Sequence, residues 1–248
     1  MFSYHPLYIL PVVFLAYFCK ATTGFGSAII MIAIGSIVIG PVPVLVLTAL
    51  LDVTGGVALL RIDSTKDTPR QWIPLSVAML VGVVGGGLLL RFIASRHLRY
   101  FMSSTLLAVG IWLIVFRRGA DDRSGRNNVN ELSSVKDLAV CLVAGTSGGM
   151  TGLSAPPLLY HFGGRLSKEA FRKLLTRVFL VEAITRTVTY SAMSLVRLEV
   201  LVTGALAIPV LYAGLYVGNR AFFRIPEVWF SRIAGVIAIA SAIRLMFL

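Results

Sequence analysis

From Leu7 to Ile39 the chain is almost wholly apolar, yet Lys20-Ala21-Thr22-Thr23-Gly24-Phe25-Gly26-Ser27 stands in the middle of that run. An unbroken helix through it, rising about 1.5 Å per residue, would far exceed the roughly 30 Å hydrocarbon core of a bilayer. The run must therefore break, and the cationic, hydroxyl-bearing, glycine-rich octet is where it can. Each flank, Leu7 to Cys19 and Ala28 to Ile39, reaches only about 20 Å as a helix, which is short for a full span. The expectation is two half-helices that dip into the membrane, meet at the octet and return. Broken backbone at that depth is tolerated only where protein or a watery cavity satisfies it. The same design recurs in the second half as Gly145-Thr146-Ser147-Gly148-Gly149-Met150-Thr151-Gly152-Leu153-Ser154-Ala155-Pro156-Pro157. Paired glycine- or proline-interrupted apolar segments at matching positions of two halves point to a transporter's binding site.

Composition supports the membrane reading. Of the 248 residues 57% are hydrophobic and only 14% charged, with a mean hydropathy of +0.85, whereas soluble domains carry about 25% charge. The formal charge of +12 would suggest nucleic acid in a soluble protein; here it belongs to basic loops that obey the positive-inside rule. Cys19 and Cys141 both lie inside apolar runs, with neither a disulfide framework nor a metal-ligand spacing. No removable signal peptide is expected, because no basic region precedes the first apolar run. No cofactor motif is present.

Taken in order, spans are expected at Val44 to Leu60, after the turn Pro41-Val42-Pro43, at Ile73 to Leu90 and at Tyr100 to Phe116. Gly82, Gly85, Gly86 and Gly87 give the second of these a small-residue face suited to close packing. The stretch Gly119 to Ser134 divides the chain into a first repeat (1–118), a cytoplasmic linker (119–134) and a second repeat (135–248). In the second, Leu138 to Ala144 and Leu158 to Phe162 flank the break, and spans follow at Leu174 to Leu195, Leu201 to Val217 and Val228 to Leu248. A shift of 129 places Gly85 on Gly214, Arg91 on Arg220 and Phe101 on Phe230, and a shift of 128 places Thr23-Gly24 on Thr151-Gly152. That supports a duplication.

The fold class expected is an all-α polytopic membrane protein, an inverted repeat of two halves, each a broken hairpin plus three transmembrane helices. Three crossings after a hairpin give the halves opposite orientations. One face then receives the loops at 61–70, 117–136, 165–173 and 220–227, with fourteen Lys and Arg. The other receives 91–99, 197–199 and the C-terminus, with four, or five counting Arg244. The richer face is cytoplasmic by the positive-inside rule, which puts both termini outside the cytoplasmic membrane.

In these residues the chain resembles the sulfite exporter TauE/SafE family, also called the toluenesulfonate uptake permease family. The resemblance rests on Lys20 to Ala28 and on Gly148 to Pro157 opening the second half, and it spans nearly the whole chain. Members typically show Gly-x-Gly-Gly-Gly followed by proline; here the first half has Gly24-Phe25-Gly26-Ser27 and the second Gly152-Leu153-Ser154-Ala155. What it implies is a permease for small anions: sulfite, sulfonates such as taurine or sulfoacetate, or related organic acids. Its partners would be that anion, a coupling proton or cation, and the bilayer. Oligomeric state is not set by the sequence.

Lys20 is the sharpest candidate, because a charge at mid-bilayer costs about 2.5–3.5 kcal/mol on insertion scales and should face a cavity, a partner or an anion. Snorkelling to an interface is the alternative. Thr22, Thr23, Gly24 and Gly26 precede one half-helix, and Thr151, Gly152 and Ser154 the other. Their amide donors suit a sulfite or sulfonate oxygen, or simply cap a broken helix. Glu182, Arg186 and Tyr190 recur every four residues on one helical face, with Arg177 about a turn before them and Asp52 offset by 130 from Glu182. Arg186 joins the candidate anion site. Asp52, Glu182, Arg177 and Tyr190 are candidates for ion coupling or for a structural ion pair. Ser154 and His161 invite a serine-protease reading, but seven residues of helix separate them by about 10 Å, too far for a nucleophile and its base. Transport and a non-transporting membrane scaffold that keeps the fold remain the two classes, and buried charges favour transport.

Overall fold

The computed structural model describes residues 6–62, 72–92, 95–115, 134–162, 165, 168–221 and 227–247. The expected linker from Gly119 onward, and most of the loops at 61–70, 163–167 and 220–227, lie outside the described residues. Among the described residues every regular element is helical. A 3₁₀ turn, Pro6–Ile9, leads into α1, Leu10–Thr23. Then come α2, Ser27–Val38, interrupted by a π turn at Met31–Gly35, α3, Pro41–Ile62, α4, Trp72–Leu89, and α5, Ser95–Val115. The second series is α6, Val135–Thr151, α7, Ala155–Phe162, α8, Lys168–Ala192, α9, Leu198–Ala221, and α10, Glu227–Phe247. Three helices are long and apolar enough to cross a membrane by themselves, Pro41–Arg61, Trp72–Leu89 and Leu198–Arg220, and the chain is a multi-pass membrane protein.

Both breaks fall where expected but are narrower. Lys20 to Thr23 are still helical, as are Gly145 to Thr151; only Gly24 to Gly26 and Gly152 to Ser154 leave the helix. Gly24 (φ 82°) and Gly152 (φ 74°) are the left-handed C-caps, and their amides donate to the Lys20 and Gly148 carbonyls at 2.8 and 2.7 Å. A side chain there is strained, so a glycine four residues beyond the last free carbonyl is what ends each helix. The remaining glycines of the second motif serve another purpose. Gly145 and Gly149 on α6 face Gly82 and Gly86 on α4. A Cβ at any of the four would collide with a carbonyl oxygen of the facing helix, that of Met79, Val83, Leu142 or Thr146 respectively. Backbones this close are the small-xxx-small contact of membrane helices. Gly87 packs on Thr189 of α8, whereas Gly85 faces open space and is not part of the contact.

Pro41 and Pro43, expected as a turn, instead sit in the first turn of α3, behind Gly40 (φ 92°). A missing N–H costs nothing at that position, because the first helical amides have no intrahelical acceptor.

Each broken helix doubles back. Asp137 near the start of α6 bonds His161 at the end of α7, and a Cβ on Gly35 in α2 would lie 3.3 Å from Ile9, just before α1. The helix pairings have a regular form: α1 packs on α9 and α6 on α4, α3 on α9 and α8 on α4, α3 on α8, and α5 on α10. Exchanging each helix with the one five places away leaves these six pairings unchanged, whereas α2 also packs on α10, a contact that α7 and α5 do not match to the same extent among the described residues. The central pair, α3 and α8, carries Asp52, Arg177, Glu182 and Arg186, and Lys20 lies on α1.

Candidate functional site

Four ionisable side chains meet in the interior, one each from α1 and α3 and two from α8. Lys20, Asp52, Glu182 and Arg186 are all no more than 5% exposed. Lys20 Nζ lies 2.6 Å from Asp52 Oδ1. Arg186 Nη2 donates to Asp52 Oδ2 at 3.0 Å, and its Nε lies 3.6 Å from Glu182 Oε1, one turn back on the same helix. Two cations and two carboxylates give zero net charge, the condition under which ions survive in a low-dielectric interior. Lys20 therefore does not snorkel; its counter-ion is 32 residues away on the next long helix.

Hydroxyls complete the set. Tyr17 and Ser27 both donate to Asp52 Oδ1, at 3.0 and 2.9 Å, and Ser154 donates to Glu182 Oε2 at 2.6 Å. Ser27 opens α2 and Ser154 immediately precedes α7, so in each series the residue at the break reaches the carboxylate of the following long helix. The two carboxylates are nonetheless unequal. Asp52 accepts from four donors, whereas Glu182 accepts one hydroxyl bond, and its Oε1 has no hydrogen-bond partner among the described residues. Arg186 Nε and Nη1 likewise lack one. Arg186 Nη1 is pressed against the second break: a Cβ added to Gly152 would stand 2.9 Å from it.

The four charged residues, Ser27 and Ser154 line a cavity of about 20 Å³ together with Phe25, Gly26, Gly152, Leu153 and Phe179. That is room for about one water, since a water needs roughly 10–15 Å³ by this measure. The conformation is thus contracted around its own ion pairs. Both breaks reach it, Gly26 to Ile29 from the first and Gly152 to Ala155 from the second, so residues 126 apart in sequence share one wall.

Of the residues picked from sequence, Lys20, Asp52, Gly26, Gly152, Ser154, Glu182 and Arg186 line this cavity. The others do not. Thr22 is buried with its hydroxyl returned to the Cys19 carbonyl at 3.0 Å. The side chain of Thr23 lies outside the described residues. Gly24 caps α1 against Arg172 of α8, itself bonded to Asn219 at 3.0 Å. Thr151 donates back to the Ser147 carbonyl. Tyr190 shares the face of Glu182 but donates to the Gly149 carbonyl at 2.8 Å, tying α8 to α6. Arg177 is half-buried on α8, outside the cavity lining. Tyr17 and Ser27 are the functional-looking groups that sequence reasoning missed. Ser27 stands 127 before Ser154, close to the offset that pairs the two halves, and could have been found from it.

Ser154 and His161 are not partners. His161 Nε2 lies 2.6 Å from Asp137 Oδ1, which also takes Arg165 Nη1 at 2.6 Å, at the opposite end of α7 from Ser154. Asp137 and Ser134 form a capping box at the start of α6, so this cluster clasps the two ends of the second hairpin.

No group of three His, Cys, Asp or Glu side chains that could hold a metal ion occurs among the described residues. No curated protein and no solved structure matches the chain. A family model does match, over residues 9–245, and its description is sulfite exporter TauE/SafE. With nearly every residue from the first turn to the last helix inside that match, the chain belongs to the sulfite exporter TauE/SafE family, a family of membrane transporters.

Proposed function

We propose that this protein is a secondary transporter that carries small oxyanions, sulfite or sulfonates, across the cytoplasmic membrane in exchange for, or together with, another ion. The observation that carries this reading is the meeting of two helix breaks and four buried charges at one cavity. A scaffold has no need of buried ionisable groups, which cost free energy in a membrane interior and are retained where ions pass. Arg186 is the anion's counter-charge, because two of its nitrogens, Nε and Nη1, have no hydrogen-bond partner, whereas the single side-chain nitrogen of Lys20 is already held by Asp52. Lys20 acts through Asp52, holding the network's charge at zero. Gly26, Gly152 and Ser154 shape the wall, and their small side chains let an oxyanion approach the backbone. Pro156 and Pro157 lack N–H groups, so α7 offers an anion fewer amides than α2 does.

The two hairpins each enter and leave on one side, and three long helices follow each. This supports an inverted repeat divided at the linker 119–134, with α1–α5 and α6–α10 in opposite orientations. Alternating access would then be an exchange between two conformations related by swapping the halves. The lysine and arginine distribution supports external termini. A cysteine at Asn128 is expected to resist an impermeant thiol reagent in intact cells; labelling from outside rejects this orientation.

The deciding experiment is flux in proteoliposomes over sulfite, taurine, sulfoacetate and simple carboxylates. Saturable, protein-dependent movement of an oxyanion is the expected result. Flux no greater than that of empty vesicles for every anion rejects transport in favour of a scaffold.

A further inference from the structure

We infer that Glu182 is the proton carrier of this site, and that one proton enters on Glu182 with each monovalent oxyanion that takes the glutamate's place on Arg186. This rests on the transport reading above and specifies its coupling. The argument starts from charge. Lys20, Asp52, Glu182 and Arg186 already sum to zero. Adding a monovalent anion leaves the buried cluster at minus one, and an uncompensated charge in this setting is strongly unfavourable. A proton restores neutrality, and only the two carboxylates are placed to take it.

Asp52 is the poorer acceptor, because its two oxygens already serve Tyr17, Lys20, Ser27 and Arg186. A proton there would set a donor against donors. Glu182 is open to one: Ser154 occupies Oε2, while Oε1 has only the 3.6 Å approach of Arg186 Nε and no hydrogen bond. The groups facing it are Arg186 on its own helix, Ser154 from the second break, and the backbone of Gly148, where a Cβ would come within 2.5 Å of Oε1. Asp52 and Lys20 line the same cavity. In the step, a hydronium ion from the aqueous phase gives its proton to a Glu182 oxygen: one O–H bond of the hydronium breaks, the carboxyl O–H bond forms, and water is left. The neutral acid no longer holds Arg186 Nε. The guanidinium, still bonded to Asp52 through Nη2, is left with its Nε–H free to donate to the anion, a charge-assisted hydrogen bond in the place the glutamate held.

Glu182→Gln copies the neutral acid in size and shape, which gives the inference a signature that a structural role lacks. The purified full-length protein is titrated with methanesulfonate, whose charge is fixed across the working range, and with sulfite, in buffers of differing ionisation enthalpy. The parent is expected to take up about one more proton per bound anion than Glu182→Gln, for either probe. The parent's affinity for methanesulfonate should fall as pH rises, while that of Glu182→Gln stays flat. At alkaline pH the variant should bind roughly tenfold or more tightly than the parent, since it needs no proton. Binding by the parent without proton uptake, or weaker binding by the variant at every pH, overturns the proton role and leaves transport standing. If neither probe binds the parent, the transport reading itself fails. Should Glu182→Gln not fold, the parent's proton uptake alone still decides.

Discussion

Arg186→Met is expected to abolish oxyanion binding and transport while leaving a protein that can be purified. Charge-assisted hydrogen bonds contribute about 1.5–3 kcal/mol each, so losing the Nε donor alone should weaken binding by roughly tenfold to a hundredfold, before the lost charge is counted. The cluster also goes from neutral to net negative: Lys20 alone then faces Asp52 and Glu182, which repels the substrate. Arg186→Lys should recover little. An ammonium keeps the charge but has one nitrogen where the guanidinium has three, so it cannot bond Asp52, reach toward Glu182 and still donate to an anion. Binding of methanesulfonate by calorimetry, alongside sulfite flux, checks both variants. Parent-like affinity in Arg186→Met would place the anion elsewhere, and Lys20 would become the next residue to test.

The largest loss of stability is expected from Asp52→Asn. Four donors converge on this carboxylate, two of them cations, so removing its charge leaves Lys20 and Arg186 with only Glu182 between them. Breaking a buried ion pair by removing one partner costs about 3–5 kcal/mol. In a chain of this size that lowers the melting temperature by on the order of ten degrees. The double variant Lys20→Met/Asp52→Asn removes one charge of each sign and should recover most of the loss, because replacing both members of a buried pair is far milder than orphaning one. Thermal unfolding of the parent, both single variants and the double variant in detergent provides the cycle. A double variant no more stable than Asp52→Asn would mean that Lys20 and Asp52 do not act as a pair.

Why could the sequence point to Lys20, Asp52, Glu182 and Arg186 at all? A charge inside an apolar run is anomalous enough to stand out, and the near-constant offset between halves placed Asp52 opposite Glu182. Partners were harder to find. Nothing local ties Lys20 to Asp52, because their pairing arises only when α1 packs beside α3. The breaks were visible but too wide, since glycine has two uses in a membrane helix. Gly24 and Gly152 take positive φ to end a helix and Gly26 to open one, while Gly145 and Gly149 stay helical and let α4 come close. A sequence presents both kinds as the same letter. Tyr190 shows the complementary limit: helical spacing put it correctly on the face of Glu182, but not which neighbour its hydroxyl meets. That depended on how near α6 lies.

The pairing of charges has a bearing on how such a chain enters a membrane. Lys20 and Asp52 both belong to the first five helices, and Glu182 and Arg186 stand one turn apart on α8. Each half thus carries its own cation with its own carboxylate. The ribosome finishes the first set long before the second exists, and the translocon must release it into lipid meanwhile. Because that set is neutral within itself, it can wait there without an exposed charge. The contact between Arg186 and Asp52 joins a late helix to an early one, so it can form only once α8 has been made.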